Sequence, residues 1–516
     1  MESRVKLARV LATAWIAVWL IAWPAQAHAI WMAVFGAVGG ILGVSTVVAG
    51  IIVVGGLFVL NKITGGGLFG GSKRNARQQS KQGLMVNKQS NNEPITLAYG
   101  RMRTGGTRVF VETSDGSGVI GSGKKYLNVV LALTEGQMGD IKKLYFNDTV
   151  VWDAAEEGTF TGSDISGYTL ADFRPEGTEA DPINKYNGHV EVQYFVGHQD
   201  QDVSSLIQDS VDVNGAAGVW TSEHRLRSVA YLALKLEANQ KAFGGSVPTV
   251  TAEIAGKKIV DVNATTDFSS PVYVTPGANQ NPVDVLYDIL TNVDYGKGLT
   301  HADIDTTSFK STWTHANGLF KIDGYFDTAD KLYDNIEELL DACNGFLVYI
   351  NGKYKLHIRQ RNETAVQTID YDDIIGEIKI TKNTKEKQIN KISITWNNPN
   401  ATTKYNEDLL VTANSTYLAI DNGTILEANT ENLLVTDVTL LQKLADFKID
   451  ASRHQMTTEF VGSHRLMNIE PGSIININNA ELGFTNKPFR VLSTSITNDN
   501  NIEFICGVYV SDIEVA

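Results

Sequence analysis

Between Val10 and Asn61 the chain carries no Asp, Glu, Lys or Arg, and no other feature narrows its possible folds as much. Such a run must be buried in lipid or in protein, since roughly twenty apolar residues already span a bilayer. Its first part, VLATAWIAVWLIAWPAQAHA, follows Arg4, Lys6 and Arg9 and ends on Ala25, Ala27 and Ala29, the layout of a signal peptide with its cleavage site. The second part, Ile30 to Asn61, is rich in glycine. Gly36 and Gly40 have the spacing that lets helices approach closely, although a segment this rich in Gly and Ala also produces it by chance. Three readings are open: an export signal followed by an anchor, a helical hairpin that enters a membrane at one step, or a helical plug inside an oligomer.

Charge divides the chain at the same place. From Ser3 to Asn92 there is no acid, and residues 1–92 net +8, whereas the remainder nets −22. An acidic body repels nucleic acid, which argues against sequence-specific DNA binding. A surface that DNA must slide past without sticking would carry the same sign. At 516 residues the length suggests three or four domains. Cys343 and Cys506 make no disulfide framework and lack zinc-ligand spacing, so they read as buried thiols.

After a Gly-rich, basic linker (63–92), ordered sequence begins at EPITLAYGRMRTGG, where Ile95, Leu97 and Tyr99 alternate. Strands follow on either side of turns at Glu135-Gly136 and Asn147-Asp148. A turn-rich excursion over about 154–187 precedes the strands HVEVQYFVG, LRSVAYLALKLEA and TVTAEIAGKKIVDV, so that 93–262 reads as an antiparallel barrel or sandwich with an insertion. Residues 263–365 read as a small α+β module. Its first helix has Asn281 as cap, Pro282 at the first position and an apolar face of Val285, Leu286, Ile289, Leu290 and Val293. Its second has Asp327 as cap, Leu332, Ile336, Leu339, Leu340 and Cys343 inward, and Gly345 as stop. A hairpin turning at Asn351-Gly352 closes the module. Residues 366–516 read as a second antiparallel barrel-like domain. One helix interrupts it at about 436–454, with Leu440, Leu441, Leu444, Ala445 and Ala451 buried.

Motifs for chemistry are sparse: there is no HExxH, paired CxxC or GxSxG. GVIGSGKK (Gly118 to Lys125) meets part of a phosphate loop, but Lys125 stands where a Ser or Thr must reach the metal, and the motif runs into a strand; it reads as a turn. His454 and His464 flank a strand with no third ligand, and Asp303 and Asp305 match only part of a calcium loop. The sequon at Asn263 matters only in a eukaryotic secretory host. No catalytic, cofactor-binding or metal residue is assigned, and no cofactor is expected. A structural or interaction protein is the leading class and an enzyme the alternative.

Five stretches in order, EPITLAYGRMRTGG, NPVDVLYDILTNVDYGKG, IEELLDACNGFLVYINGKYKL, ASRHQMTTEFVGSHRLMNIEPGSIININN and KPFRVLSTSI, resemble the tail-hub or tail-tip attachment proteins of long-tailed bacteriophages, the family of protein J of phage lambda. The resemblance covers most of Glu93 to Val515. It implies a mainly β fold: two related tail-hub barrels, 93–262 and 366–516, an α+β module between them, and an N-terminal hydrophobic helical segment, 1–62. It further implies a homotrimer at the distal end of the tail tube, presenting a pseudo-sixfold ring and letting DNA pass without specific binding. The implied partners are the tube or distal tail protein, tip or fibre proteins and the tape-measure protein, with assembly in the host cytoplasm. The chain ends soon after the second barrel, where the lambda protein continues, so receptor recognition is expected to fall to separate fibre or tip proteins. Cytoplasmic assembly also turns the head, residues 10–61, from an export signal into a lumen plug or an element that inserts in the host membrane. An exported, membrane-anchored bacterial surface protein and a tail-associated hydrolase are the alternatives.

Overall fold

The computed structural model describes residues 87–89, 96–115, 125–156, 160–170, 184–186, 188–208, 211–212, 219–274, 280–382, 387–401, 405–497 and 499–515. The apolar head, most of the basic linker and the GVIGSGKK turn up to Lys124 lie outside the described residues.

Two sheets build the first unit. The larger runs Thr107–Asp115, Lys125–Glu135, Val229–Glu237, Val190–Phe195, Gly167–Leu170, Phe160–Ser163, with the short strands Lys88–Gln89 and Val211–Asp212 along the free side of Thr107–Asp115. The smaller runs Arg101–Thr104, Val250–Lys257, Met138–Phe146, Thr149–Asp153. Period-two alternation sends Val129, Leu131 and Leu133, with Leu232 and Leu234 beside them, into a core shared with Ile141, Leu144, Ala252 and Ile254. The intervening Val130, Tyr231 and Ala233 are buried too, because Ile207 and Trp220 of the following segment cover that outer face. Both turns read from the sequence are tight. Gly136 has φ 81°, and Asn147 and Asp148 have φ 47° and 67°, the pair of positive values a type I′ hairpin requires.

Of the two forms expected, barrel or sandwich, the unit takes the second: an open, curled sheet packed on another, since among the described residues the outer strands of the larger sheet do not pair with each other. One expectation changes. The excursion at 154–187 includes a hairpin, Phe160–Ser163 with Gly167–Leu170, that extends this sheet by two strands.

The second unit is helical. Its long helices are α1 (Pro282–Thr291), α2 (Thr306–Ala316), α3 (Leu332–Ala342) and α4 (Val438–Arg453). Asn281 caps α1 by accepting from the Val283 N–H, and Pro282 opens it. These helices share one core with the hairpin Gly345–Ile350/Lys353–Ile358 and with a three-stranded sheet, Asn406–Ala413, Lys391–Asn398, Glu427–Glu431. Leu286, Phe309, Leu339, Leu356, Ile394 and Leu441 all belong to that core. Residues 366–516 therefore contribute to two cores. Their three-stranded sheet and α4 pack with the helices, and a separate six-stranded sheet holds the rest.

Details of the helices differ from the sequence reading. Val293 is exposed, because α1 stops at Thr291. The residue before α3 is Lys331, while Asp327 accepts from the Ala329 N–H in the preceding turn. Asn344, with φ 53°, makes the left-handed step after α3, and Gly345 starts the next strand. On α4 the buried face takes Ile449 and Ser452, while Ala451 is only half-buried.

The third unit is the six-stranded sheet Gln367–Ile369, Ile474–Asn479, Phe484–Ile496, Ile502–Val508, Met456–Gly462, Ile374–Lys382. Phe489, Val491, Ile502 and Phe504 point into its core as their alternation dictates, and Phe460 stacks on Phe504. A small two-stranded sheet, Leu97–Tyr99 with Gly324–Phe326, forms the wall between the first two cores. Leu97, Tyr99 and Phe326 face the helical core, while Ala98 and Tyr325 face the β core.

Candidate functional site

Buried carboxylates and arginines concentrate where these units meet. At the first junction α1 presents Asp288 to the end of the Val250–Lys257 strand. One oxygen of Asp288 accepts from the Tyr99 hydroxyl at 2.7 Å, the Tyr295 hydroxyl at 2.6 Å and the Lys257 ammonium at 3.3 Å. Lys257 also lies 4.0 Å from the centre of the Tyr295 ring. Burial pushes the Asp288 carboxyl above the usual range, while Lys257 and the Tyr99 hydroxyl pull it back. Gln280 completes the joint: its Oε1 accepts from the Gly100 N–H at 2.6 Å and its Nε2 donates to the Lys257 carbonyl at 2.8 Å. One turn earlier, Asp284 accepts from the Val262 N–H at 2.9 Å and the Trp313 indole at 2.8 Å, and burial pushes its carboxyl up to about 7.

A second knot surrounds Glu253, which is 4% exposed. It accepts from the Tyr145 hydroxyl at 3.1 Å and the Tyr405 hydroxyl at 3.3 Å and pairs with Arg101. Tyr405 precedes the Asn406–Ala413 strand, so this contact fastens the three-stranded sheet to the first unit.

The third knot joins the helical core to the six-stranded sheet. Arg490 donates to both oxygens of Glu363, at 2.6 and 3.2 Å, and to the Gly472 carbonyl at 3.2 Å, with Glu514 at 3.6 Å. Its guanidinium lies over the rings of Phe346 and Tyr509. His357 stacks on Phe346, and burial, with Arg490 acting the same way, lowers its pKa and favours the neutral ring. Buried pairs of this kind add little net stability, but removing one member leaves an uncompensated charge, so they hold a specific arrangement.

A cavity of about 350 Å³ opens beside the first knot, between Leu97, α1 and α3. Glu135, Asp294 and Asp330 line it, together with Thr328, Tyr295 and Asn335.

The residues singled out in the sequence are placed elsewhere. Cys343 and Cys506 are buried free thiols, each in a core; burial pushes Cys343 up to about 12 and Cys506 higher still. Asp303 closes a capping box with Thr300, and Asp305 caps α2 through the Ser308 N–H. His454 ends α4, and His464 opens a short 3-10 turn. Among the described residues no group of three His, Cys, Asp or Glu has metal-ligand geometry. Sequence reasoning missed Asp284, Asp288, Glu253 and Arg490. The first two carried a signal: acids four apart, beside the apolar stripe of a helix with almost no exposed face.

No family model matches the chain, and no curated protein does. Solved structures do. A chain of the native gene transfer agent particle virion matches with a TM-score of 0.53 at 13% identity, over 95% of this chain and 98% of that one. This chain shares the fold of a virion protein. Weaker matches, at TM-scores of 0.28 and 0.30 and 10% identity, are the 43 kDa tail protein of prophage MuSo2 from Shewanella oneidensis, over 82% of this chain and all of that one, and the tail protein from Neisseria meningitidis MC58, over 81% and 98%.

Proposed function

We propose that this chain is a structural, non-enzymatic subunit of a phage-type tail. It forms a homotrimeric hub at the distal end of the tail tube, joins the tube to tip or fibre proteins, and encloses the path by which DNA leaves. The observation that carries the reading is the fold shared over nearly the full length of both chains with a virion protein. The chemistry is consistent with it. Asp288, Glu253 and Arg490, with their partners, fasten units to one another, which suits a part that must keep its geometry under load. An acidic body lets DNA pass without adhering.

In this reading the first β unit and the six-stranded sheet are the two hub domains, so three copies present six sheets to the tube. The helical core, with the three-stranded sheet, sets the spacing between them. Residues 10–61 act as the lumen plug or the host-membrane element, with the tape-measure protein as a neighbour in the assembled tail. Electron cryomicroscopy of the purified full chain tests the proposal: a threefold ring with both β units facing the tube end is expected. A stable monomer would overturn the hub, and a basic channel wall would overturn the DNA path.

A further inference from the structure

At the first knot an amine and a carboxyl meet in a largely dry junction. Lys257 ends the Val250–Lys257 strand and Asp288 lies on α1; their side chains are 9% and 14% exposed, and Nζ stands 3.3 Å from Oδ2. It is the most buried lysine–carboxylate pair among the described residues; the Lys143–Asp153 and Lys448–Asp341 pairs are each wetter on one side.

Three further features surround it. The same Oδ2 accepts from two phenols, Tyr99 at 2.7 Å and Tyr295 at 2.6 Å, and burial raises the Tyr99 pKa, so its hydroxyl stays a donor. Two donors converging on one carboxyl oxygen are what the oxyanion of a tetrahedral intermediate requires. The lysine stem runs across the Glu135-Gly136 turn, where a Cβ on Gly136 would sit 2.6 Å from the Lys257 Cε and 3.3 Å from its Nζ. Gly136 thus leaves the stem its path and brings a second acid, Glu135, within reach of the lysine charge. Burial also pushes Asp288 towards its neutral acid, the form that an amine can attack.

We infer that Lys257 and Asp288 condense into a side-chain amide, a self-made covalent link between the first β unit and α1 of the helical core. One ammonium proton passes to Oδ1, which leaves a neutral acid facing a free amine. The amine attacks Cγ, and the carbonyl π electrons move onto Oδ2, where the two phenols hold the charge. Glu135 takes a second proton from the new C–N centre through a water of the adjoining cavity, which it lines together with Tyr295. It returns that proton to the Oδ1 hydroxyl, the Cγ–Oδ1 bond breaks, and water leaves. Ammonium and carboxylate become one amide and one water, with no other reactant. Between free partners in water this condensation is unfavourable, but groups held in contact reach effective molarities on the order of 10⁵ M or more. The inference is independent of the tail assignment, since the link is read within one chain.

Peptide mapping of the full chain, purified in detergent, tests it. Trypsin should release residues 242–258 and 259–297 as one branched peptide, lighter by one water than the two together, with fragmentation placing the branch between Lys257 and Asp288. The two peptides found separately in the parent chain, or a water lost at another residue, would overturn the link. Glu135→Gln and Tyr99→Phe should each slow its formation by ~100-fold while near-ultraviolet circular dichroism stays that of the parent, so that fresh variant protein is mostly unlinked and branches on incubation. Linkage of Glu135→Gln at the parent's rate would overturn the role of Glu135 as proton carrier.

Discussion

Asp284 shows how a single buried group shapes the stability of the helical core. Burial, the leading cause, pushes its folded pKa up to about 7, well above the ordinary Asp value of 3.8. The native state therefore binds the proton more tightly than the unfolded chain, and stability falls as pH rises from about 4 to about 7, with the full penalty present above that. This runs against the usual behaviour of salt-bridged carboxylates. Asp284→Asn carries no charge to desolvate, so its stability relative to the parent should improve between pH 5 and pH 8, as read from denaturant midpoints at the two pH values. A constant difference would show that Asp284 is ionised throughout. Backbone geometry offers a second residue-scale contrast. Gly100 has φ 69°, and a Cβ there would sit 2.2 Å from the Ile322 carbonyl oxygen, whereas Gly188, with φ 76°, has open space around it. Gly188→Ala should cost about 1–2 kcal/mol for the left-handed backbone alone. Gly100→Ala should cost considerably more, because the Leu97–Tyr99 wall must move, and a lower melting temperature than that of Gly188→Ala is the outcome to look for.

Among elements, helix caps and periodicity carried most of what could be read from the sequence. The cap at Asn281, the inward faces of α1 and α4, and the paired positive-φ turn at Asn351-Gly352 depend on neighbours within one or two turns of chain, so local sequence specifies them. Asp327 shows the limit of such reading. It has the right type and position for a cap, yet a turn takes its carboxylate and the helix starts later. The knots were not legible, because nothing local marks Glu253 as the partner of Tyr405 or Arg490 as the partner of Glu363 across more than a hundred residues. The division of 366–516 between two cores was hidden for the same reason: strand period is identical in both sheets, and only long-range pairing separates them. The difference between true and apparent caps is measurable. Asp437 accepts from the Thr439 and Leu440 N–H groups at the start of α4. Asp437→Ala should cost about 1 kcal/mol, within the 0.5–2 range for lost N-caps, whereas Asp327→Ala should leave the start of α3 intact; thermal melts of the two variants make the comparison.

Over the whole molecule, three units are fastened at knots whose members come from distant parts of the chain, so cooperativity between units depends on a few buried charges. Arg490 and Glu514 are nearly fully buried, at 5% and 4% side-chain exposure, and Glu363 is largely covered. Truncating the arginine leaves Glu363 without its paired cation in a low-dielectric junction, while Glu514 keeps Arg359, at a cost of about 3–5 kcal/mol. Because Arg490 sits on the six-stranded sheet and Glu363 follows the hairpin of the helical core, the loss should fall on the joint between them. Arg490→Met should thus split one unfolding transition into two, and limited proteolysis should cut between residues 359 and 366 before either unit melts. Adding Glu363→Gln removes the stranded charge and should restore part of the protection. If Arg490→Met instead melts in a single, modestly lowered transition with no early cleavage, the knot is a local fastening and the apolar contacts on either side hold the joint.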